Sequence, residues 1–208
     1  MKLQMKTKKK CAMLSALLIT VALLIGIYLF TGSVPQMSEA EAQLRQEFLD
    51  TADAWLGCKE SDGSHKPIID IYNAHEPLAQ GYQVKYDDFW CATFVSAVAI
   101  QCGLTDIIPT ECGCQRQIGL FKELGRWEEN DAYAPAPGDI IYYSTEGIGI
   151  SKDNEGWSDH VGIVVSRQGK LMKIIEGNHD HKVTYRYILM NDSRIRGYAL
   201  PDFASKAE

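Results

Sequence analysis

Reading apolar against polar positions from the N-terminus, the first feature is an uncharged run from Cys11 to Phe30, 20 residues long. As a helix it spans roughly 30 Å, the thickness of one hydrocarbon core, and it predicts a transmembrane anchor over 11–30. A cleaved signal peptide competes, but its apolar region is usually about 7 to 15 residues and leads directly into a small-x-small site. Thr31-Gly32-Ser33 fits that site loosely, and Ala40-Glu41-Ala42 lies far from the apolar end. Residues 31–37, with Gly32, Ser33 and Pro35, read as a linker.

Ser38-Glu39-Ala40-Glu41 is a capping box, and Leu44, Phe48, Ala52, Trp55 and Leu56 follow at helical spacing up to Gly57. Gly63, Pro67, Pro77 and Gly81 then break Cys58 to Asp87 into loop with short helical turns. Asp88 to Gly103 is almost uncharged and predicts a buried helix, with Asp88 accepting the orphan N–H groups at its start and Gly103 turning left-handed at its end. Thr110 to Gly125 predicts a second helix, with Ile118, Phe121 and Leu124 on one side, and Glu128 to Asp131 an acidic turn. From Asp139 the pattern changes to short β-branched runs: strands near Asp139–Tyr143, Asp159–Val165, Lys170–Gly177, Thr184–Leu189 and Ile195–Leu200. The glycine-containing Ser144–Trp157 stretch reads as a loop that could overhang a cleft. Helices followed by an antiparallel sheet predict an α+β fold, and the roughly 170 residues from Ser38 onward suffice for one domain, 38–208.

Composition changes this picture in one respect. The chain carries −6 overall, yet its first ten residues hold Lys2, Lys6, Lys8, Lys9 and Lys10 and no acid, which leaves 16 basic against 27 acidic side chains, or −11, for the rest. A basic segment at 1–10 before an anchor is expected to stay cytoplasmic, placing the domain outside the membrane in a compartment where disulfides persist. The acidic body argues against nucleic-acid binding and offers no basic patch for anionic wall polymers.

Candidate chemistry starts at Cys91, in the first turn of the predicted buried helix. The positive helix end favours thiolate over thiol, and free N–H groups there can meet an oxyanion. The same residue also reads as a core cysteine packed as a small hydrophobe; a base elsewhere decides. His160 stands at the mouth of a β-branched strand, where it serves either as that base or as a structural histidine. In Ile174-Ile175-Glu176-Gly177-Asn178, period two puts Glu176 and Asn178 on one face. A glutamate among isoleucines needs a hydrogen-bond partner, and an imidazole N–H on a neighbouring strand supplies one. Cys91, His160 and Glu176 then form a nucleophile, a base and its orienter.

Trp90-Cys91, Pro137-Gly138-Asp139, Asp159-His160-Val161-Gly162-Ile163-Val164 and Ile175-Glu176-Gly177-Asn178, closed by Ile195-Arg196-Gly197-Tyr198, resemble the cysteine, histidine-dependent amidohydrolase/peptidase (CHAP) domain over roughly Leu44 to Phe203. That resemblance implies a papain-like fold, cleavage of amide bonds in peptidoglycan, and catalytic positions at Cys91, His160, Glu176 and Asn178. Trp90, Trp157 and Asp159 are expected to bind substrate. No cofactor and no metal are expected: only Asp87 and Asp88 precede the nucleophile, and neither His65 and His75 with Asp62 and Asp70, nor His179 and His181 with Asp180, has metal-loop spacing. Reserving Cys91 leaves Cys58, Cys102, Cys112 and Cys114, which allow two disulfides in three connectivities or none; pairing of Cys112 and Cys114 with Cys58 and Cys102 is favoured over a bond between those two. A neighbouring papain-like peptidase family, with a second histidine as third residue, is disfavoured by Glu176. The alternative of another class is a non-catalytic wall-facing part of an envelope or conjugation complex.

Overall fold

The computed structural model describes residues 37–130, 132–144 and 156–207; the anchor expected over 11–30 and most of the Ser144–Trp157 loop lie outside them. Among the described residues no helix is long and apolar enough to cross a membrane. Helix α1 (Glu39–Asp53) begins as its capping box predicts, Ser38 Oγ accepting from the Glu41 N–H at 3.0 Å. It buries Phe48, Leu49 and Ala52. The broken Cys58–Asp87 segment contains an eight-residue helix, α2 (Lys66–Asn73), with Pro67 in its first turn, where a missing N–H costs nothing. Helices α3 (Cys91–Gln101), α4 (Cys114–Glu123) and the short α5 (Phe203–Lys206) follow among the described residues.

Six strands form one antiparallel sheet: β1 (Trp127–Glu128), β2 (Ile140–Tyr143), β3 (His160–Gln168), β4 (Leu171–His179), β5 (Lys182–Leu189) and β6 (Ile195–Ala199), in the order β1-β6-β2-β3-β4-β5. This is an α+β arrangement, helices packed on an antiparallel sheet, as the sequence pattern predicts. Five of the strands are the predicted ones. The sixth, β1, occupies part of the expected acidic turn, because Trp127 and Glu128 pair with Ala199 and Tyr198 and complete the edge beside β6.

Helix α3 is the centre of the packing. Its residues Cys91 to Ala99 are all buried, which is why the stretch carries no charge. It packs against α1 and α2 and against β3 and β4. The core between helices and sheet includes Phe48, Ile68, Phe94, Val98, Phe121, Val161, Ile163 and Ile175, whereas Ile141, Val164, Ile174, Ile188 and Tyr198 form a smaller cluster on the opposite sheet face. The alternation of Ile140 and Tyr142 with Ile141 and Tyr143 between those clusters is the strand period expressed in burial.

Two glycines set how closely these layers approach. A Cβ on Gly177 would lie 2.4 Å from Phe94 Cβ, and one on Gly162 would lie 2.6 Å from Ile174 Cγ2 and 2.7 Å from Glu176 Cγ. The glycine after Glu176 therefore lets β4 press against α3, and the glycine in β3 makes room for Glu176 itself. Asp139, the last residue of Pro137-Gly138-Asp139, is structural. Its buried carboxylate accepts from Tyr133 Oη at 2.6 Å, the Ala136 N–H at 2.9 Å and Arg45 at 3.1 Å, pinning the turn into β2.

Candidate active site

Cys91 is the first residue of α3, so the sequence placement at a helix N-terminus holds. The expected cap does not: Trp90 is the N-cap residue, and Asp88 turns back to accept from the Lys85 N–H and from Tyr82 Oη, both at 2.8 Å. Gly103 ends the helix in the left-handed region at φ +66°, as predicted. The Cys91 thiol opens on a cleft of about 320 Å³ lined by Phe89, Asp159, His160, Asn178, His179 and Arg186.

His160 begins β3, and Glu176 lies near the end of β4; with Ile163 opposite Ile175, the two strands are neighbours. The His160 Nε2–H donates to Glu176 Oε2 at 3.0 Å. The ring also stacks on Tyr143, centroids 6.0 Å apart at 28°. Glu176 is fully buried, and its second oxygen, Oε1, accepts from Arg186 Nε at 2.7 Å. A buried carboxylate stripped of such partners would cost about 3–5 kcal/mol. Here both oxygens are bonded, one to each cation.

These contacts fix the protonation pattern. Burial opposes ionisation of Glu176, but His160 and Arg186 outweigh it and hold the carboxyl below its usual range. Burial likewise opposes a charged His160, yet its bonds to Cys91 and Glu176 push it up to about 10. The Cys91 thiol is held well below its usual value by the neighbouring Cys114 thiol and, against burial, by His160. The three shifts favour one charge pattern: thiolate at Cys91, imidazolium at His160, carboxylate at Glu176. The first two titrate as a pair.

Asn178 also borders the cleft, but not as the strand period predicts. The pairing of β4 with β5 is interrupted between Glu176 and His179, and Asn178 adopts φ 54°. This bulge turns its amide away from Glu176: with both ends satisfied, its oxygen accepts from the Trp90 N–H and its nitrogen donates to Glu60 Oε1, each at 3.1 Å. His179 takes the place beside Glu176, its Nδ1 3.9 Å from Oε2 and its ring 6.2 Å from that of His160. Burial holds His179 below the usual histidine value.

Trp90, expected at the substrate, is fully buried; its Nε1–H donates to Glu60 at 3.0 Å and its ring packs against His65. The exposed ring at the cleft is its neighbour Phe89, 87% exposed. Trp157 is 71% exposed, three residues before His160, and Asp159 lines the cleft, its carbonyl 3.9 Å from Cys91 Sγ. Sequence reasoning missed Phe89, Arg186 and the contact to Cys114. Arg186 was visible only as a charge inside a strand, and its role follows from the β4–β5 register, which sets it diagonal to Glu176 through the pair Ile174↔Arg186.

Among the described residues the cysteines at 58, 91, 102, 112 and 114 are free thiols. Cys102 faces Thr51 Oγ1 at 3.3 Å and Cys112 faces Glu111 Oε1 at 3.5 Å, so the favoured disulfides are not formed. Cys114, the first residue of α4, instead meets Cys91, their sulfurs 3.6 Å apart. Among the described residues no group of three His, Cys, Asp or Glu side chains is arranged to hold a metal ion.

Residues 81–178 match the CHAP domain family. The match runs from before Cys91 to Asn178, spanning Cys91, His160 and Glu176. Among solved structures, the crystal structure of Ly7917 is similar, with 15% identity and a TM-score of 0.43 over 76% of this chain and 62% of that one. So is the crystal structure of Ly7917 with the hydrolyzing product of MDP, with 14% identity and a TM-score of 0.42 over the same shares. This chain therefore spans 62% of the length of Ly7917. No curated protein matches it.

Proposed function

With residues 81–178 carrying the CHAP domain match, we propose that this chain is a cysteine-dependent peptidoglycan hydrolase, an N-acetylmuramoyl-L-alanine amidase or an endopeptidase, held at the outer face of the membrane by residues 11–30. The observation that carries the reading is the connected series Cys91, His160, Glu176, in which a thiol held low faces an imidazole held high and bonded to a buried carboxylate at 3.0 Å. A structural cysteine has no need of that arrangement.

In the proposed mechanism His160 already holds the thiol proton when substrate arrives. Cys91 Sγ attacks the amide carbonyl, and the oxyanion is met by the Cys91 N–H, which has no intrahelical acceptor in the first turn of α3. His160 then protonates the leaving amine. Loss of the amine leaves a thioester, which water hydrolyses with His160 as base. Glu176, accepting from Nε2–H, keeps the imidazole in one orientation and tautomer. Asn178 acts one step back, by fixing the Trp90 N–H and with it the chain entering the nucleophile. Phe89, Trp157 and Asp159 meet the substrate at the rim. The acidic body gives no general attraction to a polyanionic wall, and in this reading the anchor keeps the domain beside it.

The test is digestion of purified peptidoglycan by the full chain in detergent, wild type beside Cys91→Ala, with products identified by mass spectrometry. Free stem peptides from wild type alone identify an amidase, and cut cross-bridges an endopeptidase. No release from a panel of wall types would overturn the hydrolase reading in favour of a binding component of an envelope complex.

A further inference from the structure

The proposed hydrolysis needs one cysteine at the cleft, and the fold supplies two. Cys114 Sγ sits 3.6 Å from Cys91 Sγ, and both residues are buried. The position of Cys114 is built by the surrounding chain. The Glu111 carboxylate accepts from the Cys112 N–H at 2.8 Å and the Gly113 N–H at 3.2 Å, shaping the entry to α4. Ser96 of α3 bonds both backbone groups of Glu111, at 2.7 and 2.9 Å, tying that entry to the nucleophile helix. Gln117 of α4 donates to the Pro109 carbonyl at 2.8 Å and accepts from Tyr142 Oη at 2.9 Å. Two helix N-termini are thus clamped with their first side chains in contact.

A disulfide has its sulfurs about 2.05 Å apart, so the pair must close by roughly 1.5 Å, a distance within reach of side-chain rotation. The cleft gives a small oxidant access to Cys91, while Cys114 lies behind it and outside the cleft lining. The geometry points to an oxidative modification site: Cys114 is a resolving thiol that converts the oxidised nucleophile into a reversible Cys91–Cys114 disulfide, with a hydroperoxide as the oxidant. The Cys91 thiolate attacks the terminal oxygen of the hydroperoxide, the O–O bond breaks, and the departing alkoxide or hydroxide takes the proton from His160. Cys91 is then a sulfenic acid, oxidised by two electrons. The Cys114 sulfur attacks it, the S–S bond forms, the S–OH bond breaks and water leaves. In sum, two thiols and one hydroperoxide give a disulfide, an alcohol or water, and a second water. A dithiol restores both thiols by exchange. The other described cysteines face Thr51, Glu111 or the core margin and offer no comparable partner.

The experiment treats the full chain in detergent with a small excess of hydrogen peroxide, then follows iodoacetamide labelling of Cys91 and maps the peptides. These readouts concern thiols alone, so they stand or fall separately from wall hydrolysis. In wild type, Cys91 labelling is lost, a linked Cys91–Cys114 peptide lighter by two hydrogens appears, and dithiothreitol restores labelling. In Cys114→Ser and Cys114→Ala, checked for native circular dichroism, the same loss is not restored, because Cys91 proceeds to sulfinic acid. Absence of the linked peptide from wild type, or equal dithiothreitol recovery in wild type and both variants, overturns the proposal. The linked peptide is measured on wild type, so the test holds even where a variant fails to fold.

Discussion

Glu176 concentrates the physics of the site in one side chain. It is fully buried, it bonds one cation through each oxygen, and together with Cys91 it pushes His160 up to about 10 against the effect of burial. Glu176→Gln keeps the size and removes the charge. The sign follows from the pair: the reactive thiolate–imidazolium form exists above the lowered Cys91 value and is lost as pH rises through the raised His160 value. Without the carboxylate the His160 value falls, so the alkaline limb of turnover on peptidoglycan, where the imidazolium must protonate the leaving amine, moves to lower pH. Turnover on peptidoglycan falls by about 10²-fold, the scale of general acid–base catalysis. An alkaline limb that stays in place in the variant would show that Glu176 does not hold the proton on His160.

At the scale of elements, the site depends on how closely β4 lies to α3, and Gly177 sets that separation. Gly177→Ala places a methyl 2.4 Å from Phe94 Cβ and 3.0 Å from Trp90 Cζ3, where both rings are buried. Overpacking of this kind costs about 1–3 kcal/mol. Because the strain falls between the nucleophile helix and the strand carrying Glu176, Cys91 labelling should slow together with a lowered thermal midpoint; an unchanged midpoint and labelling rate would dismiss the close-packing argument. The elements were largely legible in the sequence, since burial of α3 on all sides leaves an uncharged run, and strands β2 to β6 stand out as short β-branched and aromatic runs between turns. Cys91, His160 and Glu176 were legible for the same reason: each stands where its element's pattern begins or ends. Asn178 was misread because period-two logic has no means of anticipating a bulge. Trp90 was misread because a tryptophan beside a nucleophile looks the same in sequence whether it faces the cleft or the core. Arg186 and Cys114 were invisible because their roles come from contacts across β4–β5 and α3–α4, and Phe89 because exposure is a property of the assembled cleft.

For the whole molecule, Ser38–Glu208 clusters as one unit, and the proposed anchor precedes it. The full chain is expected to remain with membranes through an alkaline carbonate wash, whereas the chain from Ser38 onward is expected in the soluble fraction; a mature N-terminus near Thr31 would instead establish a cleaved signal. Within the unit, the proposed nucleophile belongs to the helical half of the chain and its proposed base and orienter to the strands that follow. A chain emerging from the ribosome N-terminus first carries Cys91 as an ordinary thiol until β3 and β4 have been made and docked on α3. Unfinished copies therefore lack the partners of Cys91, so the proposed hydrolase activity waits until those late strands are in place.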